Sequence, residues 1–370
     1  MPRTGEDRAR SPGTTRTTRT TRSGTYVRCG ARTALIVGEV VGRGITAAGA
    51  VGLLRTAIHT LAALDLGPDE LLARLNDTAV RLAAAPLAVP TGHPTTAATP
   101  LTAGCAVALY DPVELTCTLA RAGLPEPVVV LPDGSAETLS VPPGPLLAGT
   151  DNAPFPATTV SLPEGSTLPM GTAALADAVL APSGPRRPLL ETAATRALPE
   201  VCDDLASALT TGARPRTGEA LMPLARTKAL PQDRVLTRDL PADPETAPIA
   251  RAAARRQLDA WGVDEETAFT TELVVSELVG NAIRYGAASA PHGKHARTVD
   301  ETGRGLFIIA NLAEEWGTRF QDDGETVWAQ CPGRATAEAP GAPPMTGRLR
   351  ESPPRGEGKG EYSPLSTFNL

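Results

Sequence analysis

A chain of 370 residues with 41% hydrophobic residues can bury a core, but at 3% aromatic content that core must be built mainly from Ala, Leu and Val. A net charge of −6 argues against nucleic acid as the main partner, because phosphate binding needs clustered Lys and Arg. Five scattered cysteines with no Cys-x-x-Cys argue against a zinc or disulfide framework and fit the reduced thiols of the cytoplasm.

No apolar run reaches the ~18 residues of a membrane span, and no signal-peptide core opens the chain, so a cytoplasmic protein is expected. The start repeats Thr-Thr-Arg from Thr14 to Arg22, and residues 1–23 are read as a disordered leader. The run Leu35–Val41 ("LIVGEVV") reads as a buried strand that ends in one acid, Glu39, among residues of little bulk, followed by the Gly42-Arg43-Gly44 turn. Helices follow over 47–64 and 67–85, the second with Pro68, Asp69 and Glu70 favouring its positive end. After a Pro/Thr loop (86–100), strands are expected over 104–111, 115–123 and 127–141, the last turning at Asp133-Gly134. A strand, two helices and a meander make an α+β domain.

A second unit begins near Leu230, and all three tryptophans (Trp261, Trp316, Trp328) fall within it. Helices are expected over 248–262, 265–286 and 306–317, a Gly-rich turn at 301–305 and a strand at 325–331. The Pro/Gly-rich stretch 332–370 shows no periodic apolar face and is read as disordered.

Within this second unit, "TELVVSELVGNAIRYG" (271–286) resembles the N-box helix of the GHKL ATPase family in its anti-sigma-factor, serine-kinase branch. "DETGRGLFIIANLAEEWGTRF" (300–320) resembles the branch's second glycine box and following helix. Glu277 and Asn281 stand four apart, so carboxylate and amide share a helix face. The resemblance implies that Asn281 holds Mg²⁺, that Glu277 acts as the catalytic base, and that Gly303, Arg304 and Gly305 bind the phosphates of Mg-ATP. Between Gly286 and Ser289, however, about twenty residues of the family pattern, including the adenine-recognising glycine box, have no counterpart. His292 and His295 lie at this junction with no carboxylate or Cys beside them, which argues against a metal pair.

The first unit resembles the SpoIIE-type branch of the PPM metal-dependent protein phosphatases from about Tyr26 to Arg226. The match rests on "GEVVGRGITAA", "YDPVELTCTLARAGLPEPVVVLPDGSAETLSVPPGPLL", "LPEGSTL" and "ALMPLARTKALP". It implies a layered β-sandwich with helices, followed by a shortened GHKL (Bergerat-type) α/β sandwich. The implied divisions are 1–23 leader, 24–227 phosphatase-like domain, 228–331 GHKL-like domain and 332–370 tail.

The family's chemistry uses two Mn²⁺ or Mg²⁺ ions held by several aspartates. Glu39 stands at a metal-binding Asp, with the Val40 carbonyl a second ligand position and Glu219 in the closing acidic pair; Asn281 is the metal position of the other unit. The upstream acid is missing from "SGTYVRCGAR", and the motif Thr-Asp-Gly-Leu stands as Thr172-Ala173-Ala174-Leu175. Both surviving carboxylates are a methylene longer than Asp, which matters to an ion that demands near-ideal octahedral geometry. Arg43 and Leu124 stand where relatives often carry His; Arg43 reads as a solvated turn residue able to meet a phosphate by charge.

The resemblance implies a bacterial serine/threonine protein phosphatase with an ATP-binding, kinase-like module in a sigma-factor partner-switching pathway. Its partner would be a phosphorylated anti-sigma-factor antagonist or the anti-sigma/sigma factors, with no nucleic acid or membrane and a homodimer left open. Two alternatives stand beside it: a catalytically silent pseudophosphatase acting as a binding regulator, and a degraded gene product.

Overall fold

The computed structural model of the protein describes residues 20–29, 32–41, 44–62, 64–84, 101–149, 153–210, 221–241, 243, 245–285, 304–321, 324–332, 346–351 and 366–369. Two antiparallel sheets face each other in the first unit. The first has five strands in the order β1 (Thr20–Cys29), β2 (Arg32–Val41), β3 (Thr102–Asp111), β4 (Thr116–Ala122), β7 (Ala157–Ser161). The second has the order β6 (Ala136–Thr138), β5 (Val128–Val130), β8 (Thr167–Pro169), β9 (Leu224–Arg226). Helices α1 (Gly44–Ala62) and α2 (Pro68–Ala84) cover the first sheet, and α3 (Arg187–Glu191) and α4 (Leu198–Thr210) pack on the second.

The period of two explains why β2 and β3 read as continuous apolar runs: both faces are buried. Ala34, Ile36 and Val40 join the core under α1 and α2, together with Ala103, Cys105, Val107 and Leu109. Val37, Ala106 and Ala108 point the other way, into the core between the sheets. Glu39 shares the parity of Val37, so the alternation places it on the side of the second sheet. At the other end of β2, buried Arg32 donates from Nε to Asp65 Oδ1 at 3.1 Å and from Nη2 to the Asp65 carbonyl at 3.1 Å. This ties the sheet to the α1–α2 turn, where Asp65 adopts a left-handed φ of 52°.

The Asp133-Gly134 hairpin forms as the sequence predicts. Gly134 takes φ +89°, and Ser135 donates to Asp133 Oδ1 from its amide at 2.8 Å and its hydroxyl at 2.7 Å. Those two bonds hold the exposed Asp133 carboxyl below its ordinary range.

The second unit has a five-stranded antiparallel sheet in the order β10 (Thr237–Leu240), β14 (Ser366–Asn369), β13 (Thr346–Glu351), β12 (Gly324–Gln330), β11 (Glu315–Gln321). Its helices are α5 (Thr246–Ala260), α6 (Glu265–Tyr285) and α7 (Arg304–Leu312). Leu236, Leu240, Ala250, Ala254, Val274, Val275, Leu278, Val279 and Ile309 make its core. Arg255 braces α5 against α6 through Glu265 (2.5 Å), Asp259 (2.9 Å) and Glu272 (3.1 Å), which together raise its pKa above the ordinary value.

Three readings of the sequence are corrected here. Within the stretch read as a disordered tail, β13 and β14 form, with β13 paired to Thr326–Gln330 on one side and to Ser366–Asn369 on the other. The leader read as ending at residue 23 enters the sheet at Thr20, opposite Val41. The helix expected over 306–317 stops at Leu312, because Glu314 N–H donates to the Gln330 carbonyl at 2.8 Å and Trp316 pairs with Ala329.

Candidate functional site

Two places bring sequence-predicted residues together. On α6 the four-residue spacing sets Glu277 and Asn281 on one flank of the helix, and α7 brings Gly305 against them. A Cβ built on Gly305 would lie 2.6 Å from Glu277 Oε2 and 3.2 Å from both Oδ1 and Nδ2 of Asn281. Only the absent side chain allows this approach of backbone to carboxylate and amide. Asn281 Oδ1 is buried and has no hydrogen-bond partner among the described residues, a costly state for an amide oxygen. Ser276 Oγ, one residue before Glu277, is in the same condition.

These residues fit the phosphate half of a Mg²⁺-nucleotide site. An unpartnered amide oxygen is a hard donor suited to Mg²⁺, and bare backbone at a helix start suits phosphate oxygens. Asn281 would hold the ion, the Gly305 backbone would meet phosphate, and Glu277 would accept a proton from an attacking hydroxyl. Bound Mg-ATP would supply the transferable phosphoryl group. Arg304 opens α7, while Gly303, His292 and His295 lie outside the described residues.

The second place is the corner where β2 meets the segment after β8. Ala173 N–H donates to Glu39 Oε1 at 3.4 Å, joining residues 134 apart in sequence. The neighbouring Thr172 is fully buried; its N–H donates to the Leu221 carbonyl at 3.1 Å and its hydroxyl accepts from Leu221 N–H at 3.3 Å. The structure thus brings Glu39 against the Thr-Ala-Ala-Leu segment. Val40 points away into the helix-side core, leaving only its carbonyl as a candidate ligand. Glu219 and Arg43 lie outside the described residues. Leu124 packs in the inter-sheet core, nine-tenths and more buried.

This corner does not fit a two-ion centre. No three His, Cys, Asp or Glu side chains come together to hold an ion among the described residues. Position 173 offers a methyl in place of a carboxylate, and its N–H presents positive charge to the oxygen an ion would take. Sequence reading missed Thr172 as the pin of this loop; its signal was a Thr preserved inside a motif whose acid is gone.

A small apolar cavity lies beside the same strand. Ile36, Gly38, Val40, Leu54, Ile58 and Leu147 line it, with Glu39 and Arg55 as its charged members.

A two-sheet sandwich flanked by helices, followed by a unit with an N-box-like helix, defines a phosphatase-type fold joined to a nucleotide-binding type. The family model of stage II sporulation protein E (SpoIIE) matches residues 30–221, and that of the histidine kinase-like ATPase domain matches residues 240–300. The chain belongs to the SpoIIE family. No curated protein sequence matches it.

Among solved structures, the RsbU and RsbW domains of a Mycobacterium tuberculosis protein are 21% identical, covering 96% of this chain and 89% of that one, with a TM-score of 0.44. The SiaA PP2C domain of Pseudomonas aeruginosa is 16% identical over 56% of this chain and 80% of its own, with a TM-score of 0.44. The PP2C phosphatase domain and regulatory fragment of SpoIIE from Bacillus subtilis is 13% identical over 58% and 64%, with a TM-score of 0.39. No helix among the described residues is long and apolar enough to cross a membrane.

Proposed function

We propose that this chain is a regulator in sigma-factor partner switching. Its SpoIIE-like unit receives a phosphorylated anti-sigma-factor antagonist, and its histidine kinase-like unit binds the phosphates of a Mg²⁺-nucleotide and engages the anti-sigma or sigma partner. The observation that carries the reading is the notch of Glu277, Asn281 and Gly305, where an amide oxygen is buried without a protein partner among the described residues. The division at about residue 228, the cytoplasmic setting and the absence of nucleic-acid partners belong to the same proposal.

Hydrolysis by the first unit is expected near background, since Ala173 occupies a ligand position and its N–H engages Glu39. A turning-over, Mn²⁺- or Mg²⁺-dependent serine/threonine phosphatase is the second reading, favoured by the family match over 30–221. Nucleotide affinity should come from phosphates, with ATP and GTP bound alike, because the base-recognising glycine box is absent from the sequence.

The test is calorimetric titration of the full chain with ATP and GTP, with and without Mg²⁺, alongside release of phosphate from a phosphoserine antagonist. Weak, Mg²⁺-dependent binding of both nucleotides supports the reading. Tight, strongly ATP-selective binding refutes base indifference, and no binding of either refutes the site. Robust Mn²⁺-dependent turnover abolished by a chelator would establish the second reading instead.

A further inference from the structure

The corner between β2 and the 172–173 segment does more than lack an ion. Glu39 extends from the first sheet, and Ala173 belongs to the segment that follows β8 in the second. Their hydrogen bond therefore crosses from one layer of the sandwich to the other. The receiving segment is itself held firmly. Thr172 exchanges two hydrogen bonds with Leu221, and Leu175 N–H donates to the Thr172 carbonyl at 2.9 Å. A buried threonine thus orients the Ala173 N–H toward the carboxylate instead of leaving it to chance.

An N–H and a cation compete for the same carboxylate lone pairs, and they demand opposite surroundings. A dication needs several oxygen donors converging on one point. Here the next residue in line is a methyl, and no group of three His, Cys, Asp or Glu side chains able to hold an ion forms among the described residues. We infer that this corner is a metal-free clasp. Glu39 binds the second sheet through Ala173 N–H, so the sandwich folds and holds its layers without divalent ions. The clasp lies in the first unit and does not depend on whether the second binds nucleotide.

Thermal unfolding of the full chain tests this, followed by circular dichroism in chelator and in millimolar Mn²⁺ or Mg²⁺, with calorimetry of Mn²⁺ alone as a direct measure of uptake. The Asn281→Ala protein should melt at one midpoint in all three solutions and take up no Mn²⁺ saturably. Glu39→Gln, which keeps an acceptor oxygen, should keep that midpoint, while Glu39→Ala should lower it. Ala173→Asp should lower the midpoint in chelator, by setting two carboxylates together, and Mn²⁺ should then raise it. This ion response, absent where Ala173 is kept, is not what a merely packed loop would give. In an Asn281→Ala background, which removes the ion position of the second unit, a Mn²⁺-raised midpoint or saturable uptake overturns the inference, as does a Glu39→Ala protein that melts like the wild type. Failure of nucleotide binding would leave it standing, so the two proposals fail separately.

Discussion

Gly305→Ala separates the fold of the second unit from its proposed chemistry. The added Cβ would stand 2.6 Å from Glu277 Oε2 and 3.2 Å from both terminal atoms of Asn281. Real carbon–oxygen contacts are longer, so the Glu277 carboxylate must move by roughly half an ångström or more. Displacing the end of a flexible side chain costs about 0.5–1.5 kcal/mol if it leaves its rotamer well. Alanine in a helical position returns up to about 1 kcal/mol relative to glycine. The two nearly cancel, and the melting midpoint should stay within about 3 °C of wild type, since 1 kcal/mol corresponds to a few degrees for a unit of this size. Binding should respond far more. Misplacing both polar groups removes the ion ligand and crowds the phosphates, and a loss of tenfold or more, about 1.4 kcal/mol, is expected for Mg²⁺-nucleotide. Calorimetry on the folded variant reads this directly. Unchanged nucleotide affinity in Gly305→Ala would show that the notch is not where phosphates bind, and a collapse of the midpoint would show that Glu277 is not free to move.

Gly38 faces the small cavity under α1, and a Cβ there would meet only the Gly104 carbonyl at 3.4 Å, so Gly38→Ala should stabilise the first unit by about 1 kcal/mol through chain entropy and methyl burial, read as a raised midpoint. Deleting residues 333–370 removes β13 and β14 and strips β10 and β12 of partners, and should cost the second unit on the order of a few kcal/mol in a denaturant melt; an unchanged melt would mean those pairings contribute nothing. Asp65→Asn keeps the turn's tolerance for φ 52° but leaves the buried Arg32 charge uncompensated, a loss of about 3 kcal/mol or more. Burial pushes the thiols of Cys105 and Cys117 up to about 12. Their folded pKa is raised, so their contribution to stability is full below the ordinary thiol range and is lost as pH rises from there toward about 12; Cys105 and Cys117 should resist alkylation in the native protein at neutral pH and react in the unfolded chain, read by mass mapping of the modified cysteines.

Local pattern and tertiary arrangement decided different parts of this molecule. The apolar run in Leu35–Val41, the Asp133-Gly134 turn and the Glu277–Asn281 spacing are local signals, and each element formed where its own residues favour it. The motifs "GEVVGRGITAA" and "TELVVSELVGNAIRYG" by themselves resemble both families. What the chain order conceals is which distant segments meet. Nothing within Thr172–Leu175 announces that Ala173 N–H will reach Glu39, since that contact depends on two sheets stacking across 134 residues of separation. Nor does "TGRLRE" carry enough apolar character to mark a strand. Its backbone amides are satisfied only because β12 and β14 lie alongside, so pairing partners, not propensity, settle its structure. The helix stop at Leu312 has the same origin: the ladder with Gln330 and Ala329 competes with the next helical turn and wins. Sequence determined which residues are capable of chemistry, and tertiary structure decided that, among the described residues, Asn281 Oδ1 lacks a protein partner while Glu39 has one.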